Sequence, residues 1–217
     1  MMDKAAQEKR GRASVTTSQV YALMRRAKSY KNHIALGRGD PDFDTPEPVL
    51  AKTEELLRRP KPASIPVEGI PELRRAIAER VARMNGIKVD PDTEVIVTNG
   101  GQEALFLMVR SVIGKDDEII LPEPNYNTYK DAISFAGGIR IGVPTKREDS
   151  FRTDPRLVEA AVTPRTKAIV LASPNNPSGA VISPEDHGEF VSIAERHDLK
   201  ILSDEIYDFL STTIWSI

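Results

Sequence analysis

Residues 168–203, AIVLASPNNPSGAVISPEDHGEFVSIAERHDLKILS, hold two short apolar, β-branched runs, Ala168–Leu171 and Ile201–Ser203, with a polar loop and a helix signal between them. The helix signal is specific. Ser183 offers a capping hydroxyl, Pro184 suits the first turn, Asp186 completes a box-like cap, and Phe190, Ile193, Ala194 and His197 mark one face. Each apolar run is too short for a helix and rich in residues that pack well on a pleated surface. Strand, helix and strand in that order predict a parallel pair with the helix as crossover.

The same alternation extends upstream. Val95–Thr98, Ile119–Leu121 and Ile139–Val143 read as further strands, and Ala104–Ile113 as a helix after the first of them. The expected architecture is a mostly parallel sheet covered by helices on both faces. Before it, Val20, Leu23, Met24 and Ala27 recur at helical spacing after Thr16-Thr17-Ser18. A second helix is predicted from Thr45 with Pro46 in its first turn. A third runs from Pro71 through Leu73, Ile77, Val81 and Met84 to a stop at Gly86, after a proline-rich connection, Pro60–Pro66.

Composition narrows the function classes. With 40% hydrophobic and 29% charged residues, the 217-residue chain has the balance of a globular protein with one substantial core. Thirty Lys+Arg against 32 Asp+Glu leave a formal net charge of -2, so no basic field points to nucleic acid or to an anionic membrane. The charged opening has no apolar core of the signal-peptide kind, so a cytoplasmic protein is expected. There is no cysteine, and His33, His187 and His197 lack metal-ligand spacing, so no metal site is expected.

In an open parallel sheet, ligands bind at the carboxyl ends of the strands. Four segments leave those ends. Thr98-Asn99-Gly100-Gly101-Gln102-Glu103 joins a strand to a helix start, where glycines admit close backbone approach and free N–H groups favour an anion. Leu121-Pro122-Glu123-Pro124-Asn125-Tyr126-Asn127-Thr128-Tyr129 presents aromatic rings at a strand exit. Ser173-Pro174-Asn175-Asn176-Pro177-Ser178-Gly179 restrains an asparagine between prolines and offers X-Pro bonds that can be cis. Ser203-Asp204-Glu205-Ile206-Tyr207 places a carboxylate at the end of an apolar strand, where it needs a cationic or hydrogen-bonded partner.

These four segments, in this order, resemble the cofactor site of fold-type I pyridoxal-phosphate (PLP) dependent enzymes, specifically the class I/II aminotransferases. Leu36-Gly37-Arg38-Gly39-Asp40-Pro41-Asp42-Phe43-Asp44-Thr45-Pro46 and Gly69-Ile70-Pro71-Glu72-Leu73-Arg74 resemble further signatures of that family. The resemblance implies an α/β fold: the three-layer α/β/α, mostly parallel sheet of the PLP-dependent transferase major domain, truncated, with an N-terminal helical arm. It implies residues 1–45 as arm and part of the small domain, and 46–217 as the PLP-binding large domain.

Carried over position by position, the resemblance implies that Gly100, Gly101 and Gln102 seat the cofactor phosphate. Tyr126 would stack on the pyridine. Asn176 and Tyr207 would bond its phenolic oxygen, and Asp204 would keep the ring nitrogen protonated. Gly39 and Asn176 fall at substrate-carboxylate positions. The implied reaction moves an amino group from an amino acid to a 2-oxo acid in a homodimer. Where many relatives carry a tyrosine reaching the neighbouring subunit's phosphate, this chain has Ser64.

The family's Schiff-base lysine follows the Asp-x-x-Tyr motif, yet none of residues 205–217 is a lysine. Lys200 lies about 13 Å from Asp204 at the usual strand rise, at the wrong end of its strand. The uncharged, β-prone tail Phe209–Ile217 is read as the product of a frameshift or premature stop. The chain is accordingly expected to be inactive by itself. A non-catalytic PLP-binding fragment, or a lyase or decarboxylase on the same fold, are the competing readings. In the implied sheet order Val95–Thr98 lacks its neighbours. It is expected to dock on the free edge of the Ile201 strand or fray, while the other four strands form a parallel core.

Overall fold

The computed structural model describes residues 17–34, 39, 43–60 and 64–210, with side chains from Ala22 onward. Two units meet in sequence between Ala63 and Ser64. The first contributes α1, Thr17–Ala27, and α2, Glu47–Leu57. The second helix begins two residues later than predicted: Pro46 caps it, and Pro48 takes the first turn, where a missing N–H costs nothing. Of the residues predicted to carry family signatures or the tail, Leu36–Arg38, Asp40–Asp42 and Ser211–Ile217 lie outside the described residues, as do Lys61–Ala63 of the proline-rich connection.

The second unit is built on four strands, β1 Glu118–Glu123, β2 Ile139–Pro144, β3 Thr166–Ala172 and β4 Lys200–Asp204. Their order is β2-β1-β3-β4 and every pairing is parallel. Five helices accompany them: α3 Pro71–Asn85, α4 Gly101–Val112, α5 Thr128–Phe135, α6 Pro155–Ala160 and α7 Pro184–His197. Alternation along the strands separates two cores. Ile119, Leu121, Ala168, Val170 and Leu202 face α4 and α5, meeting Leu105, Val109, Tyr129, Ala132 and Ile133. Ile120, Ile169, Leu171 and Val143 face the other way, against Val158, Phe190, Ile193 and Ala194 of α6 and α7. The result is a helix-sheet-helix sandwich, and strands buried on both faces explain the continuous apolar runs.

The end signals are legible in the helices. Gly86 closes α3 in the left-handed region, φ 70°, where glycine meets no Cβ penalty. In α7, Ser183 Oγ accepts the Asp186 amide at 3.1 Å, as predicted. Asp186 does not complete a capping box: its buried carboxylate instead accepts the Arg152 guanidinium, Nε at 2.7 Å, because a reachable cation holds it more strongly than a backbone N–H. His197 is the last residue of α7 and pairs with Glu159 at 3.2 Å, a helix-end position as expected.

Val95–Thr98 is not a strand. Val95 is buried, but among the described residues the segment's one backbone bond to another segment runs from Val97 N to Glu68 O at 3.0 Å. It does not pair with β4, whose register partners all belong to β3. Burial of Val95 and the contact of Val97 with Glu68 and Gly69 hold the segment without the ladder that would make it a strand. The four-stranded parallel core is formed as expected. The predicted helix from Ala104 begins earlier, so that Gly101 and Gln102 belong to its first turn and Gly100 is its cap.

Candidate functional site

The chain passes from β1 outward to β2 and then back across to β3, so the crevice between the carboxyl ends of β1 and β3 is a topological switch point. Two exit loops leave it, joined by Asn175 Nδ2 donating to Pro124 O at 3.2 Å. The Glu123-Pro124, Ser173-Pro174 and Asn176-Pro177 peptides are cis. The end of β4 is tied alongside, since Ser173 N donates to Asp204 O at 3.1 Å.

Asp204 closes β4 half-buried. Among the described residues its carboxylate is held by hydrogen bonds and not by a cation. Tyr129 Oη donates to Oδ2 at 2.5 Å, and the Ile206 amide to Oδ1 at 3.2 Å. Burial, reinforced by the hydrogen bond to Asp204, pushes the Tyr129 phenol well above its ordinary range, so it is a neutral donor throughout the physiological range. On the same side, Asn176 Nδ2 donates to Tyr207 Oη at 3.1 Å, which leaves the Tyr207 proton free to be donated onward.

The turn after Thr98 comes to the same place. Gly100 sits at φ 79°, ψ 174°, a conformation that side chains rarely adopt, and open space lies where its Cβ would stand. The first-turn amides of α4, Gly101, Gln102 and Glu103, have no acceptor among the described residues, and no side chain caps them. Glu103 is drawn back onto Asn99, accepting its backbone N–H at 2.5 Å and its side-chain amide at 2.9 Å. A Cβ on Gly101 would lie 3.5 Å from Ile206 Cδ1, which seats this turn against the Asp204–Tyr207 loop. Gln102 Nε2 donates to Tyr126 Oη at 2.9 Å, and the Tyr126 ring meets the Tyr129 ring edge-on, centroids 6.5 Å apart. A wall of side chains therefore runs from the start of α4 to the carboxylate of Asp204.

Gly100, Gly101, Gln102, Tyr126, Asn176, Asp204 and Tyr207 are thus brought together on one open face at the carboxyl ends of the strands. Gly39 belongs to the first unit and is exposed. Ser64 is exposed. Lys200 opens β4 at the opposite end, where it lines a cavity of about 660 Å³ with Glu159, Lys167 and His197. A smaller cavity of about 20 Å³ lies beside Asn125, Tyr129 and Asn175.

Tyr129 is the residue that sequence reasoning missed. Its ring is buried, so the phenol had to find a partner inside, and that burial is visible only in the structure.

A family model for aminotransferases of class I and II matches residues 31–213. An aspartate/prephenate aminotransferase of Thermus thermophilus is 45% identical over 177 residues, which is 82% of this chain and 46% of that protein. Aromatic-amino-acid aminotransferase 2 of Thermococcus litoralis is 37% identical over 195 residues, 90% of this chain and 50% of that one. Among solved structures, an aspartate aminotransferase from Rhizobium meliloti superposes with a TM-score of 0.85 at 32% identity, covering 94% of this chain and 52% of that chain. A Pyrococcus structure described as protein-A1 gives a TM-score of 0.88 at 35% identity over the same 94% and 52%. The chain spans about half the length of the curated relatives it matches.

Proposed function

The chain belongs to the class I and II aminotransferase family, and from that membership we propose that its open face at the strand ends is the PLP-binding region of an enzyme that moves an amino group from an amino acid to a 2-oxo acid. The observation that carries this reading is the convergence of an uncapped helix start, an aromatic ring, a hydroxyl-amide pair and a half-buried carboxylate on one face of the second unit.

The residues present fit the group. Three unpartnered N–H groups at the start of α4, approached through a glycine with open space beside it, suit a phosphate. Tyr126, 40% exposed, offers a ring face at the rim of the site. Asn176 and Tyr207 together supply an N–H and an O–H for an anionic oxygen. Asp204, held by two neutral donors, is the carboxylate available to a cationic ring nitrogen. Bound, PLP would supply an electron sink for the negative charge that develops at the α-carbon of an amino-acid substrate.

The protein's own part is positioning and electrostatics. With PLP bound, the α4 amides would anchor the anionic tail, Tyr126 would restrict the tilt of the ring, and Asp204 would favour the protonated nitrogen that makes the ring an acceptor. Homodimeric assembly, with amino-acid and 2-oxo-acid substrates, completes the proposal. Light scattering at micromolar protein on a chain of its relatives' full length measures the assembly, with twice the chain mass expected.

Calorimetric titration of the 217-residue chain with PLP tests the site. The chain is expected to bind PLP saturably, to bind pyridoxal lacking the phosphate at least tenfold more weakly, and to lose about tenfold or more of its PLP affinity in Asp204→Asn. Equal affinity of the wild type and Asp204→Asn for PLP, with no preference for the phosphate, would sink the reading.

A further inference from the structure

We infer that the small cavity between the two exit loops is a binding site for one ordered water, whose two O–H groups donate to Asn125 Oδ1 of the first loop and to Asn175 Oδ1 of the second. The inference goes beyond the proposed cofactor site and holds whether or not PLP binds.

Space and polarity agree. The cavity, about 20 Å³, is lined by Pro122, Pro124 and Asn125 of the first loop and by Asn175 and Ala180 of the second. That is room for one water and for no larger ligand, since a water needs about 10–15 Å³ of such space. Asn125 Oδ1 is buried, and no donor reaches it among the described residues. Turning the amide round would not help. Its Nδ2 donates to Pro122 O at 2.9 Å, so the exchange would set two oxygens against each other and leave an N–H without an acceptor.

The loops do not supply the missing donor themselves. Pro122, Pro124, Pro174 and Pro177 have no N–H. Side-chain donors on the cavity wall are committed to other acceptors: Thr145 Oγ1 to Glu123 O at 2.7 Å, Tyr129 Oη to Asp204 at 2.5 Å, and Arg152 Nε to Asp186 at 2.7 Å. Asn175 Nδ2 donates to Ser178 Oγ at 2.7 Å and to Pro124 O at 3.2 Å. Asn175 is therefore left, like Asn125, with an amide oxygen to accept. Two such oxygens beside one small cavity call for a molecule that carries two donors, and water has them in the volume available. Thr153, on the same wall, offers a hydroxyl that the water oxygen can accept. That makes three polar partners, the usual number for a buried water.

The test is made on the 217-residue chain. Oxygen-17 relaxation dispersion counts the waters held for longer than the protein takes to tumble. That count is expected to fall by one in Asn125→Leu, which keeps the side-chain volume and removes the acceptor. A high-resolution crystal structure of the wild type is expected to show density within about 3 Å of Asn125 Oδ1. This measurement decides the matter if Asn125→Leu fails to fold. An unchanged count in folded Asn125→Leu, or no density beside Asn125 Oδ1 in the wild type, overturns the inference. Density that disappears when sodium and potassium are replaced by choline would mark a metal cation instead of water, and overturns it as well.

Discussion

At the scale of single residues, carboxylates in this protein are assigned to two kinds of partner, and the kind decides what each can do. Glu118, 1% exposed, accepts Thr163 Oγ1 at 2.5 Å and the Arg165 guanidinium, Nε at 2.9 Å, and these bonds hold its carboxyl below the usual glutamate range. Such a group is spent on stability. Glu118→Gln keeps the shape but loses the charge, and is expected to destabilise the fold by about 1.5 kcal/mol, read from the urea midpoint. Asp204, bonded to neutral donors, keeps charge available for a ligand. Gly69 shows a steric demand of similar sharpness. It stands at φ 101°, and a Cβ there would come within 2.5 Å of Val97 Cγ2. Gly69→Ala should therefore cost about 2 kcal/mol through both strain and overlap, again in the urea midpoint. Asp204 was legible as a candidate because a carboxylate ending an apolar strand needs a reason. Its partner was not, because Tyr129 lies 75 positions earlier and no local pattern joins the two.

At the scale of elements, local chemistry accounts for most starts and stops. Ser183 caps α7 through the Asp186 amide, so Ser183→Ala is expected to cost about 1 kcal/mol, with the loss appearing as faster amide exchange in the first turn of α7. Asp186→Asn should leave that exchange pattern in place and instead loosen the Arg152 contact, because its carboxylate takes no part in the cap. Short apolar runs gave the four paired strands to within two residues, most clearly for β1 and β3, since a strand buried on both faces is apolar at nearly every position. The same rule failed at Val95–Thr98, whose composition suits a strand but which has no neighbour to supply a ladder. β-propensity describes a fit to a pleated surface, and the surface has to exist. α5 and α6 were not located from the sequence: each is only two turns long, too short to show periodicity.

At the scale of the whole second unit, two consequences follow from the sheet order and the buried ion pairs. β3 is paired on both sides and β4 on one, so β3 amides should exchange more slowly than those of β4. Because Glu118 has a depressed folded pKa, its contribution to stability is complete above the ordinary glutamate value of about 4.3 and is lost as pH falls from there through the folded value. Wild type is thus expected to lose denaturant resistance on acidification below about pH 4.3, and Glu118→Gln to lose less over the same interval. The sequence by itself determined the fold class, the four paired strands and the longer helices, and which loops carry unusual residues, because those depend on periodicity, turn chemistry and capping within a few positions. Only the tertiary structure decided that Tyr129 holds Asp204, that Gln102 braces Tyr126, that Asp186 serves Arg152 and that Val95–Thr98 stays out of the sheet. Each of these turns on which distant partner lies within about 3 Å, and that is set by how the layers pack.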